Sequence, residues 1–420
     1  MSLDHNDNLY WESKNFSKIP IKVFSDENIY KREMERIFSG PVWLFLGLEA
    51  EIPNLGDFIT NYAGEIPIVI NRSKDNKIYA FVNRCAHRSA TVVRELRGNQ
   101  KNHTCVYHRW CYNHKGELVG VPYQKGIKGK GGLPKKFNKK NHCLRKLKVN
   151  SYKGAIFGSL SANPEPLLDY LGPEIIKPLD RFFSKPIEVL GYMRQRIDGN
   201  WKTYFENLTD GIHAGLLHQL AVKMGLWGNT PEGGIILDRF GRHSHYYINY
   251  LKDSEYAGEY FKNKLELNDL KFCETIDEWS DDISTDTISI FPNVMFATVS
   301  NFLMTEQIRL VSPNEFELLS IVVGYKDDTP KLRKLRQYQV SWLGPAGYVA
   351  LEDSEAGSLI QKAIKGQDKE HSYLGYGGHD AIKSSDNVLT ETGVRGFWRY
   401  YCYLMDFGST KDNLKYLDSI

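Results

Sequence analysis

The chain has 420 residues, 41% of them hydrophobic and 25% charged, with 54 basic against 51 acidic side chains and a formal net charge of +3. At about 150 residues per domain this is two or three domains, long enough to bury a large core without covalent staples. The composition excludes a disulfide scaffold (six Cys), a coiled coil and a disordered chain, and the balanced charge points to no nucleic-acid partner.

The opening MSLDHNDNLYW has no basic region followed by an apolar stretch, so no signal peptide is expected. No apolar run approaches the ~18–20 residues that span a bilayer. With cysteines this sparse, the reading is a reducing, cytoplasmic setting and no membrane contact. Residues 1–40 predict a helical entry segment that packs on the C-terminal domain, with SDENIYKREMERIF (25–38) opening on an N-cap Ser25. From 41 to 160 the texture is short apolar or alternating runs: PVWLFLGL, DFITNYA, IPIVINR, KIYAFVN. Turn residues such as Pro53-Asn54 and Asp75-Asn76 split them, which predicts a compact all-β domain. SANPEP (161–166) reads as a linker.

Residues 161–420 mix states. LLDYLGPEI, residues 200–221 and residues 351–365 predict helices. KPIEVLGYMRQRI, HSHYYINYL, TISIFPNVMFATVS, EQIRLVSP and FELLSIVVGY predict strands. The fold class expected is α+β: an all-β N-terminal domain, then a domain with a central antiparallel sheet flanked by helices.

Two constellations carry chemistry. In the β-domain, Cys85-Ala86-His87 is followed by Cys105-Val106-Tyr107-His108. Zinc accepts Cys2His2 sets, but usually pairs Cys with Cys and His with His. Here each loop offers one thiolate and one imidazole. A Rieske [2Fe–2S] cluster needs that set, two Cys on one iron and two His on the other. Trp110 follows closely enough to shield the cluster; Cys111 and His114 read as packing or surface residues.

In the second domain, Asp210-x2-His213-x4-His218 lies in NWKTYFENLTDGIHAGLLH. Five helical residues turn about 500°, or ~140° net, so on an unbroken helix the two rings would not share a face. One metal between them needs a break, for which Gly215 is placed. A carboxylate from elsewhere would complete the two-His, one-carboxylate facial triad of a non-haem Fe(II) oxygenase. Asp353 is the favoured donor because it follows the GPAG turn (344–347) and precedes a helix, with Glu352 and Glu355 as competitors.

These segments, with VRGFWRYY (394–401), resemble the large (alpha) subunit of Rieske non-haem iron ring-hydroxylating oxygenases over nearly the whole chain. GPVWLFLGLEAEIPNLGDF and YLGPEI are most similar to the branch acting on aromatic carboxylates, terephthalate, salicylate and anthranilate oxygenases. The resemblance implies a cluster on Cys85, His87, Cys105 and His108, and a mononuclear Fe(II) on His213, His218 and Asp353. It implies that Asp210 bridges a cluster His of a neighbouring subunit to an iron His. Asn207, one turn earlier, is expected to line the site. Departures are Ser89, where Gly is usual after CAHR, and Arg109 and Cys111 beside Trp110.

By the same resemblance, electrons come from NAD(P)H through a separate flavin/iron–sulfur reductase, directly or through a ferredoxin. O2 then hydroxylates an aromatic carboxylate, terephthalate-like favoured, to a cis-dihydrodiol in aromatic catabolism. A head-to-tail homotrimer is implied, with or without a small beta subunit (α3β3). A carboxylate substrate calls for an Arg fork, and Arg309 and Arg395 are the candidates; His243 and His245, on one strand face, are weaker ones. Residues 125–148 carry ten Lys or Arg and no acid, either a solvated face or a docking patch for an acidic electron donor. The rival readings are a Rieske monooxygenase (a demethylase or ring monohydroxylase) on the same scaffold, and a non-enzymatic Rieske electron carrier.

Overall fold

The computed structural model describes residues 11, 16–223, 232–249, 274–344, 346–378 and 382–407. Contacts divide the chain into two compact units, Phe38–Leu167 and Met1–Ile37 with Leu168–Ile420.

The first unit is all-β. Strands β1 (Leu44–Leu48), β2 (Asp57–Ala63), β3 (Ile66–Arg72), β4 (Ile78–Val82), β5 (Lys148–Tyr152) and β6 (Ala155–Ser159) form two small antiparallel sheets, with Arg97–Asn99 on the edge of the β2–β4 sheet. A third sheet of two- and three-residue strands runs through 103–104, 111–112 and 118–120. Phe58, Val69, Phe81, Val92, Trp110, Tyr112 and Leu144 pack into one core that also takes in Cys85 and Cys105.

The second unit centres on a seven-stranded antiparallel sheet. Its strands are β7 (Ile187–Ile197), β8 (Gly233–Leu237), β9 (Ser244–Asn249), β10 (Ile283–Ile290), β11 (Val294–Val299), β12 (Phe302–Ser312) and β13 (Glu315–Tyr325), in the order β7-β13-β12-β11-β10-β9-β8. Apart from β7, each strand pairs with a sequence neighbour, so hairpin connections build most of the sheet.

Helices occupy this unit as expected, with shifted ends. Helix α1 (Glu27–Glu33) is capped by Asp26, not Ser25: the Asp26 carboxylate accepts from Asn28 N and Ile29 N at 2.7 and 3.0 Å. It gives way to a wider turn over Met34–Phe38. LLDYLGPEI is not one helix. Gly172, at φ +74, separates a five-residue helix (Leu167–Leu171) from α2 (Pro173–Phe182); glycine adopts that positive φ without the penalty a Cβ brings.

Residues 200–221 break twice. Asn200 caps α3 (Trp201–Thr209), whose Trp201, Tyr204, Phe205 and Leu208 are buried at helical spacing. Asp210 is extended and ends it. Gly211 follows, where a Cβ would meet the Tyr246 ring at 2.7 Å. Helix α4 (His213–Leu217) then contains Gly215, so the expected break at Gly215 is corrected: the chain bends at His218 itself, φ −80, ψ 59. Beyond the sheet come α5 (Pro330–Leu343), α6 (Tyr348–Ala363) and α7 (Thr392–Met405). Asp353 lies inside α6 rather than before it. Residues 250–251 of HSHYYINYL and residue 345 of GPAG lie outside the described residues. No helix among the described residues is long and apolar enough to cross a membrane.

Candidate metal centres and cavity

Two equivalent loops meet in the first unit. Cys85 N donates to Ala90 O and Ser89 N to Cys85 O; Cys105 N donates to Trp110 O and Arg109 N to Cys105 O. Both loops turn through a positive φ at the same place, Ser89 (+59) and Arg109 (+56). A non-glycine residue there is strained by about 1 kcal/mol, a cost that Ser89 and Arg109 carry and a glycine would not. Asn83 anchors the first loop, taking the Val92 and Val93 N–H groups and donating to Val93 O.

Cys85 and Cys105 are buried, whereas His87 and His108 stand toward solvent, their rings 4.4 Å apart. Burial pushes the Cys105 thiol up, and Cys85 beside it adds to the shift. Two buried sulfurs on one side and two imidazoles on the other suit a two-metal cluster better than one tetrahedral ion. Trp110 stacks on His87 at 4.8 Å. Tyr112, unmarked in the sequence, places its hydroxyl 3.3 Å from Cys85 Sγ and accepts Ala86 N at 3.1 Å. Cys111 sits in the small sheet, and buried His114 contacts Gln100 O at 2.6 Å.

In the second unit, His213, His218 and Asp353 bring one ligand atom each within 4.8 Å of one another, close enough for one ion with metal–ligand bonds of roughly 2 Å. Asp353 Oδ1 lies 3.5 Å from His213 Nε2 and 3.4 Å from His218 Nε2, and accepts Asn207 Nδ2 at 3.0 Å. The outward-facing nitrogens are also matched: His213 Nδ1 lies 3.5 Å from Asp210 Oδ2, and His218 Nδ1 lies 3.0 Å from Glu352 Oε2. Asp210 Oδ1 accepts Ile212 N at 2.8 Å, which holds the carboxylate in the break after α3. Burial pulls His218 down to about 4, toward the neutral form a metal binds. Burial also opposes charge on His213, but Asp210 and Asp353 outweigh it and raise its pKa.

A cavity opens over this trio. Helix α3 contributes Tyr204 and Asn207; the sheet contributes Tyr246, Thr285, Thr287, Met295, Ala297, Val299, Phe302, Met304 and Glu306. Within each strand these alternate by two, so one sheet face forms the wall. That periodicity corrects the arginine expectation. Residues 302, 304 and 306 face the cavity, so Arg309 points to the opposite face, bonded to Glu317 Oε1 at 3.1 Å and Gln307 Oε1 at 3.4 Å. Arg395 is buried in α7 and donates to Leu374 O and Tyr376 O. His243 bonds Tyr170 O, and His245 lies 2.7 Å from Asp286, also off the wall. Among the described residues no Lys or Arg lines the cavity.

Residues 42–137 match the Rieske [2Fe-2S] domain family and residues 184–406 the ring hydroxylating alpha subunit (catalytic domain) family. The chain is 40% identical to the anthranilate 1,2-dioxygenase large subunit of Burkholderia cepacia over 93% of this chain and 94% of that one. It is 39% identical to the terephthalate 1,2-dioxygenase terminal oxygenase component subunit alpha 2 of Comamonas sp, over 94% and 96%. Its fold superposes on naphthalene 1,2-dioxygenase from Rhodococcus sp. bound to indole with a TM-score of 0.79 at 25% identity, covering 93% and 95%. The chain therefore belongs to the Rieske-type ring-hydroxylating oxygenase large subunits. It is an oxidoreductase, an aromatic-ring dioxygenase whose cofactors are a [2Fe–2S] cluster and a mononuclear iron reduced from a reductase.

Proposed function

We propose that this chain dihydroxylates an aromatic carboxylate, with His213, His218 and Asp353 holding the mononuclear iron and Cys85, Cys105, His87 and His108 holding the cluster. The observation that carries the reading is the trio of ligand atoms within 4.8 Å, opening onto an aromatic and apolar cavity. The two named relatives act on anthranilate and terephthalate. When bound, the cluster supplies single electrons and the iron supplies O2 activation. The chain's own residues orient, exclude water and fix protonation. Asn207 and Glu352 fix Asp353 and the His218 tautomer; the Met295, Ala297, Val299, Phe302 and Met304 wall keeps the ring in a dry site.

Overall the ring takes both atoms of O2, two electrons and two protons to give a cis-dihydrodiol. Asp210, part-exposed with one oxygen facing His213, is suited to accept a second imidazole N–H, from the partner subunit's His108. That link calls for a homotrimer built on a heterologous, ring-closing interface, with or without a beta subunit. The exposed lysines 125, 128, 130, 135 and 136 give an acidic ferredoxin or reductase a docking face. The test is turnover of a benzoate panel under isotopically heavy O2 with a surrogate reductase. Label in both product hydroxyls supports the reading; a product with one labelled oxygen overturns it.

A further inference from the structure

The sheet wall of the cavity carries one charged side chain among the described residues, Glu306. It is 1% exposed, accepts Ser320 Oγ at 2.7 Å on Oε1 and the Tyr204 hydroxyl on Oε2, and has no cationic partner among the described residues. A carboxylate offers about four acceptor positions, so two remain. Burying such a group without a counter-charge is costly, and an apolar residue would fill the wall without that cost. Three strands away on the same face, Tyr246 presents a buried hydroxyl with no hydrogen-bond partner among the described residues, beside Thr287 in the cross-strand register. Ala297 and Met304 continue the Tyr246–Thr287 row across the sheet, and Met295 lies directly opposite Glu306. The wall thus separates donors at one end from an acceptor at the other.

We propose that Glu306 accepts a hydrogen bond from an N–H or O–H group on the substrate ring, so that this site selects an amino- or hydroxybenzoate over a benzenedicarboxylate. The proposal rests on the aromatic-carboxylate reading above and narrows it. A ring amino or hydroxyl group satisfies Glu306, an unsubstituted ring leaves it short of a partner, and a second carboxylate meets it as a like charge.

The test compares benzoate, 2-aminobenzoate, 2-hydroxybenzoate and terephthalate on the reconstituted holoenzyme. It reads kcat/KM, and Kd by calorimetry on the anaerobic reduced protein. The donor-bearing rings are expected to exceed benzoate by about 10–100-fold, with terephthalate last. In Glu306→Gln the ratio of aminobenzoate to benzoate falls at least about tenfold and terephthalate gains on both. A wild-type ranking with terephthalate first overturns the proposal. So does a variant that lowers every substrate equally, the signature of a purely structural Glu306–Tyr204 contact. The wild-type ranking decides the matter if the variant does not fold. Absence of product from every carboxylate overturns the functional reading, while the Kd ratios still judge Glu306.

Discussion

His218 is gripped on both ring nitrogens by consecutive residues of one helix: Glu352 Oε2 lies 3.0 Å from Nδ1 and Asp353 Oδ1 lies 3.4 Å from Nε2. Adjacent helical residues point about 100° apart, so one ring wedged between them meets both carboxylates. With the proton on Nδ1, Glu352 would accept it and leave Nε2 free for the proposed metal.

Replacing Glu352 with Ala is therefore expected to weaken iron binding by about 10–100-fold. The cluster's visible absorption stays unchanged and excess Fe(II) restores activity. Iron retained per chain under a chelator challenge checks this; unchanged retention would make Glu352 a bystander.

Asp210→Asn keeps the volume in the break after α3 but removes the charge facing His213 Nδ1. Iron and cluster contents are expected to hold, while turnover falls by at least about 10–100-fold. Stopped-flow oxidation of the reduced cluster in the presence of substrate should slow in parallel. Normal cluster oxidation with normal turnover would remove Asp210 from the electron route.

Tyr112→Phe deletes the hydroxyl beside Cys85 Sγ. A cluster-bound thiolate can only accept, so Tyr112 donates, and hydrogen bonds to sulfur raise a cluster's reduction potential by stabilising the reduced charge. The midpoint potential is expected to fall by an amount on the order of tens of millivolts. Protein-film voltammetry reads it directly, and an unchanged or higher potential contradicts the assignment.

Glu206 links stability to pH. It is half-buried in α3 with the Trp398 indole N–H donating to it at 2.6 Å. Burial pushes its carboxyl up to about 8 from 4.5; the indole opposes this and Asp210 adds to it. The folded form thus binds more protons than the unfolded form between those values, so stability declines as pH rises from about 4.5 and levels off above about 8. Glu206→Gln removes that slope. Its melting temperature is expected to match wild type near pH 5 and exceed it above pH 8, by at most a few kcal/mol in stability. Parallel curves would show Glu206 ionised throughout.

The candidate metal-binding residues were legible in the sequence to different degrees. Cys85, His87, Cys105 and His108 stand out because both loops are short and local, so spacing alone brings each pair together. His213 and His218 were ambiguous, since their convergence depends on a bend at His218 that no Gly or Pro announces. The arginines misled for a different reason. Strand β12 is buried on both faces from Phe302 to Leu310, so the polar–apolar alternation that marks an inward face is missing. Glu306, in step with Phe302 and Met304, was the readable signal, a charge at a core-facing position. Tyr112, Glu352 and Tyr204 act through contacts distant in sequence, which local pattern cannot reveal.

Iron and acid-labile sulfide, assayed on anaerobically purified wild type and Asp353→Ala, bear most directly on two separate iron sites in one chain. Roughly three irons and two sulfides per chain are expected for the wild type, and roughly two of each for the variant, with its cluster spectrum intact. Two irons and two sulfides in both proteins, or zinc in place of iron between the paired loops, would contradict it.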